Sequence, residues 1–152
     1  MRFFVDSCIV IEALKKMGSK EAGEIFEVIL RELLCMENTF AVNAVVYSEV
    51  VYKLLVKSKA KNSVSEEFIF KLFDVFEWID INVNVKNIAI RYHKSYRLKP
   101  NDALILATCK HYGINYLLSL DWDFEKGCKS EGISLIDDVY KLKGVLNGRD
   151  SD

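Results

Sequence analysis

Residues 3–11 read FFVDSCIVI. Phe3 to Val5 is a short apolar run with β preference, and Ser7 is placed to cap a helix expected over 8–16. Between them stands Asp6, where a carboxylate is avoided unless something pairs with it. A strand that runs through an acidic turn straight into an apolar helix is the opening unit of a chain that alternates the two.

The rest of the chain repeats that alternation. Gly18 breaks the first helix and Ser19 caps a second, in which Ala22, Ile25, Phe26, Ile29, Leu30 and Leu33 recur at helical spacing. Thr39–Val42 reads as a strand, 44–57 as a helix, and 57–65 as a polar basic loop. Phe68, Ile69, Leu72, Phe73 and Phe76 form the stripe of another helix, followed by a strand over 78–83 and a helix over 84–97 carrying Ile88, Tyr92 and Tyr96. Pro100 and Asn101 open a helix that is apolar all round from Ala103 to Ala107 and ends at Gly113. Strands at Tyr116–Leu118 and 133–136 and a last helix capped by Asp137 or Asp138 complete the pattern. Such alternation implies a parallel sheet between two layers of helices. One domain over 1–146 is expected, with 147–152 as a frayed tail.

Composition narrows the classes. The chain has 152 residues, 51% hydrophobic and 28% charged, with a net charge of −1, so nucleic-acid binding has to come from a local patch. Its four cysteines form no C-x-x-C pair; Cys8 and Cys109 read as small core residues, and a reducing cytoplasm is the expected compartment. The first residues do not read as a signal peptide, and no apolar run is long enough to predict a membrane span. His93 and His111 lie in no nucleophile motif, and phosphate-cradling glycine loops are absent.

Four acidic residues stand where strands end or helices begin: Asp6, Glu49, Asp102 and Asp121. Ligands of open parallel sheets bind beyond the carboxyl ends of the strands. If the first and fourth strands are neighbours, Asp6 and Asp121 lie side by side, with Asp102 and Glu49 reaching the same cleft from helices. Two carboxylates about 5 Å apart repel by about 3 kcal/mol at an effective dielectric near 20, a cost that a hard divalent cation, Mg²⁺ or Mn²⁺, removes. The plainer readings are a helix-dipole role for Asp102, turn or cap roles for Asp121 and Asp123, and a solvated helix position for Glu49. Glu12 reads as an ordinary helix residue.

At these residues the sequence resembles the PIN-domain family, and within it the VapC-type toxin ribonucleases. Val5-Asp6-Ser7-Cys8-Ile9-Val10-Ile11 resembles the opening strand and acidic turn, and Ser48-Glu49-Val50 the helical glutamate motif. Asn101-Asp102-Ala103-Leu104-Ile105-Leu106-Ala107-Thr108 is similar to the third motif, and Leu117-Leu118-Ser119-Leu120-Asp121-Trp122-Asp123-Phe124 to the last. Cys8 stands where Ser or Asn is commoner, and Ser119 where Thr is usual. The resemblance implies a three-layer α/β/α sandwich with a central five-stranded parallel sheet, and a Mg²⁺- or Mn²⁺-dependent endoribonuclease. It carries metal binding onto Asp6, Asp102, Asp121 and Glu49, places Asp123 behind them, and gives Ser7 a positioning role. It also implies an antitoxin partner and a homodimer.

The expected chemistry is hydrolysis of RNA by metal-activated water, aligned by Glu49 or Asp121. Arg91, Lys94, Arg97 and Lys99 lie just upstream of Asp102, and Lys53, Lys57, Lys59 and Lys61 form a second basic cluster; both are candidates for the RNA backbone. The alternatives are an RNA-processing PIN nuclease without an antitoxin and a PIN-like scaffold that has lost catalysis.

Overall fold

A computed structural model of the protein describes residues 1–57 and 64–148. Five strands form one all-parallel sheet: β1 (Arg2–Val5), β2 (Thr39–Val42), β3 (Glu77–Trp78), β4 (Tyr116–Leu118) and β5 (Ser134–Ile136). Their order across the sheet is β3-β2-β1-β4-β5. The chain therefore builds outward from β1 in one direction, then restarts on its other side with β4. That places the switch point between β1 and β4, where Val5 is in register with Leu118.

Eight α-helices accompany the strands among the described residues: α1 (Ser7–Leu14), α2 (Lys20–Cys35), α3 (Ala44–Val51), α4 (Glu66–Val75), α5 (Val83–Tyr96), α6 (Pro100–His111), α7 (Glu125–Glu131) and α8 (Val139–Leu146). In one group α1 packs on α2 and α3, and α2 meets α8; in the other α5, α6 and α7 pack together. Inward side chains of β1 and β2 are fully buried, and Phe3 stacks on Phe40 with ring centroids 5.1 Å apart. No helix among the described residues is long and apolar enough to cross a membrane.

The differences from the sequence reading have local causes. Asp6, not Ser7, caps α1: its carboxylate accepts from the Ser7 N–H, which starts the helix one residue early. The helix expected over 44–57 keeps α geometry only to Val51 and continues as a π-helical stretch, Tyr52–Lys57. The third strand is two residues long instead of six. Ile79 still donates to the Val42 carbonyl, but Asn43 turns the neighbouring chain into α3, so the ladder has no partner beyond it. Asn82 then caps α5 through the Val85 N–H. Lys59, Lys61 and residues 149–152 lie outside the described residues.

Candidate metal centre

The site forms where β1 and β4 end together. The Asp6 N–H donates to the Leu118 carbonyl at 3.0 Å, which sets Asp6 beside Ser119. Asp6 is only 4% exposed, and both its oxygens are occupied. Oδ1 accepts from the Ser7 N–H at 2.8 Å; Oδ2 accepts from Ser119 Oγ at 2.7 Å and from Cys8 Sγ at 3.3 Å. Burial, and to a lesser extent the Glu49 charge, hold the Asp6 carboxyl above the ordinary carboxylate range despite these donors.

Ser119 ties the two strand ends together. Its Oγ donates to Asp6 and accepts from the Asp121 N–H at 3.0 Å, and the side chain is fully buried. Asp121 in turn caps a short 3₁₀ turn, Trp122–Phe124, by accepting from the Asp123 N–H at 2.9 Å. On the other side of the cleft, Ser7 Oγ donates to Glu49 Oε1 at 3.0 Å, fixing the α3 glutamate against the start of α1. Asp102 lies in the first turn of α6, behind Pro100. That helix is seated by its buried face and by Asn43, whose Nδ2 donates to Thr108 Oγ1 at 3.0 Å.

These placements bring the acidic residues together. One oxygen from each of Asp102, Asp121 and Asp123 lies within 4.8 Å of the other two. Desolvation first, then the charges of Asp6, Asp121, Glu49 and Asp123, push the Asp102 carboxyl up to about 7. All five carboxylates therefore act on one point. Asp123, set behind the others in the sequence reading, stands in the tightest group. A set made only of hard oxygen donors suits a hard divalent cation, whose charge would relieve the crowding. Because binding requires the ionised form, divalent-cation affinity measured by calorimetry should rise between about pH 6 and about pH 8, with proton release on binding. A flat profile would mean that Asp102 takes no part.

Glu49, Asp102 and Asp121 line a cleft of about 420 Å³ together with Lys53, Lys99, Pro100 and Asn101. Lys53 and Lys99 are in no ion pair among the described residues. Arg91 and Lys94 are exposed on α5, and Arg97 ends that helix in a left-handed conformation; none of the three is part of the cleft lining given by the structure. Glu12 accepts from the Ser19 N–H and pairs with Lys15, outside the cluster.

Two supporting residues, Cys8 and Ser119, have no site role in the sequence reading, and Lys53 stands there only as a candidate for the RNA backbone. Cys8, expected in the core, is half-buried with its thiol against Asp6, Ser119 and the Leu120 N–H. Burial, then Asp6, pushes that thiol up to about 12, so it is no nucleophile. Lys53 follows Glu49 by four residues, a spacing that signals only helix neighbours. Ser119 could have been found from its place two residues before Asp121. Replacing Ser119 by Ala strands the Asp121 N–H and removes the shortest bond to Asp6. We expect a loss of about 2 kcal/mol in urea unfolding and about tenfold in cation affinity, with Ser119→Thr restoring both.

A five-stranded parallel α/β domain with an acidic cleft at its switch point is a recognisable class. The chain belongs to the PIN domain family, whose model matches residues 3–129. It is 32% identical over 137 residues to Ribonuclease VapC2 of Methanocaldococcus jannaschii, covering 82% of this chain and 88% of that protein. Ribonuclease VapC6 of the same organism is 26% identical over 146 residues, covering 81% and 90%. Among solved structures, VapBC2 from Rickettsia felis bound to a DNA fragment from their promoter has the same fold. Its TM-score is 0.62 at 17% identity, covering 90% of this chain and 100% of that one.

Proposed function

We propose that residues 1–146 form a single nuclease domain, a Mg²⁺- or Mn²⁺-dependent endoribonuclease that is the toxin of a VapBC-type pair. The observation that carries this reading is the gathering of Asp6, Glu49, Asp121 and Asp123 around Asp102, which lines the cleft. The two curated relatives named as ribonucleases support the substrate class, and the likeness to a toxin–antitoxin assembly supports a protein partner. The reading carries a homodimer and a cytoplasmic location with it.

Asp102, Asp121 and Asp123 are the residues that would hold the cation, with Asp6 and Glu49 beside them. A bound Mg²⁺ or Mn²⁺ would supply charge neutralisation at the scissile phosphate and acidify a water. Asp6 contributes a carboxyl group of fixed orientation, kept in place by Ser7, Cys8 and Ser119. Glu49 is the better placed of the two candidates for aligning water. Ser7 orients its Oε1, while its Oε2 accepts no hydrogen bond among the described residues. Asp121 is instead one of the three converging carboxylates that would hold the cation. Lys53 and Lys99 counter the acidic field where the RNA backbone would enter, and Arg91, Lys94 and Arg97 extend the basic surface along α5.

The test is incubation of the purified protein with total cellular RNA. Discrete cleavage is expected with Mg²⁺ or Mn²⁺ and none in chelator. RNA left intact at every metal concentration, by a folded protein, would reject the proposal.

A further inference from the structure

The chain has two tryptophans. Trp78 packs edge-on against Tyr47, with ring centroids 5.9 Å apart. Trp122 has no such ring partner among the described residues and is 62% exposed. It sits between Asp121 and Asp123, two of the three carboxylates whose oxygens meet. Its backbone is pinned on both sides: Asp121 holds the Asp123 N–H, and Phe124 is fully buried beneath the turn. The indole is thus a large apolar surface held in water within one residue of the reacting centre.

We propose that Trp122 is a stacking platform for an unpaired base of the RNA strand, next to the scissile phosphate. The inference rests on the nuclease reading above. Trp122 is not among the residues that line the cleft but adjoins Asp121, which is, so the platform would stand at the rim, where the base next to a phosphate held by the acidic cluster would leave it. Stacking on an exposed indole accepts any base, and it requires that base to be unpaired, so the platform selects single strands over duplex. A protein partner is the weaker occupant. Asp123 and Glu125, the exposed neighbours of Trp122 in sequence, are acidic, so the turn itself offers no run of apolar side chains of the kind that protein docking uses.

The experiment compares the parent protein with Trp122→Ala and Trp122→Phe. In Mg²⁺-dependent cleavage of single-stranded RNA, Trp122→Ala should raise KM about tenfold with little change in kcat, and Trp122→Phe should recover most of the loss. Binding is read by anisotropy in an Asp102→Asn background, with fluorescein-labelled oligouridylate and the same strand carrying abasic sites. The background protein should prefer the base-bearing strand about tenfold, and the added Trp122→Ala change should erase that preference. If the parent cleaves RNA while Trp122→Ala keeps its KM and its base preference, the platform is rejected and the nuclease stands. If the parent neither cleaves nor binds RNA, both fall. Unchanged RNA kinetics with an altered sedimentation coefficient would assign the ring to a protein contact and overturn the inference.

Discussion

Asp102→Asn should abolish RNA cleavage and, in the absence of metal, make the protein more stable at alkaline pH. Both effects follow from the same crowding. Asp102 provides one of the three converging oxygens, and its carboxyl titrates at about 7 because desolvation and four neighbouring acids oppose its charge. A carboxyl whose folded value is raised contributes stability below its unfolded value of 3.8, and that contribution is lost as pH rises through about 7. The amide stays neutral throughout. In chelator, therefore, the melting temperatures of parent and variant should be close only below about pH 4, diverge in favour of the variant as pH rises from there, and reach their full separation by about pH 8. Cleavage should fall by at least about a hundredfold, since an amide cannot replace a carboxylate as an anionic donor. Full activity in the folded variant would remove the mechanism; superimposable melts at alkaline pH would remove the crowding. Asp6→Asn is a less clean probe. The Asp6 carboxylate caps α1 and accepts from Ser119 and Cys8, so its replacement disturbs structure as well as charge.

Gly18→Ala should cost about 3 kcal/mol or more of stability, by overpacking against a backbone that cannot yield. A methyl group there would sit 1.7 Å from the Glu12 carbonyl oxygen and 2.8 Å from its carbon. The connection between α1 and α2 is fixed on both sides of the contact. Glu12 accepts from the Ser19 N–H, and Ser19 Oγ caps α2 through the Ala22 N–H. Gly23 is the matched control. It lies within α2 with nothing inside 4 Å of a built methyl, so Gly23→Ala should add about 0.5–1 kcal/mol by raising helix propensity. Urea unfolding of the two variants should move the midpoint in opposite directions; a shared direction would refute the packing argument. Because α1 begins at the metal centre, Gly18→Ala should also weaken cation binding, whereas Gly23→Ala should not.

The chain's local signals located the strands and most helices. Thr39–Val42 and Tyr116–Leu118 are short apolar runs with polar or turn-forming neighbours, and they carry their own limits. Where an element depended on a partner, the reading failed. Ile79 and Ile81 alternate with polar residues as a strand should, yet β2 ends first and the ladder stops. Cys8 looked like core because it stands at the edge of an apolar segment, while its thiol meets Ser119 and the Leu120 N–H, far along the chain. Asp123 looked like a turn residue, and the cap from Asp121 that makes the turn is the same contact that draws it to Asp102.

Amino-acid order alone therefore determined the alternation of strands and helices, the placing of acids at element ends, and the family likeness. Each of these is written in short-range periodicity or in residue type. Only the tertiary structure decided which acids stand closest, what holds Asp6, which lysines reach the cleft, and that Trp122 is left bare beside it. Those relations join residues up to more than a hundred positions apart, as between Asp6 and Ser119. They exist only once β1 and β4 lie side by side and their ends are brought into register by the sheet.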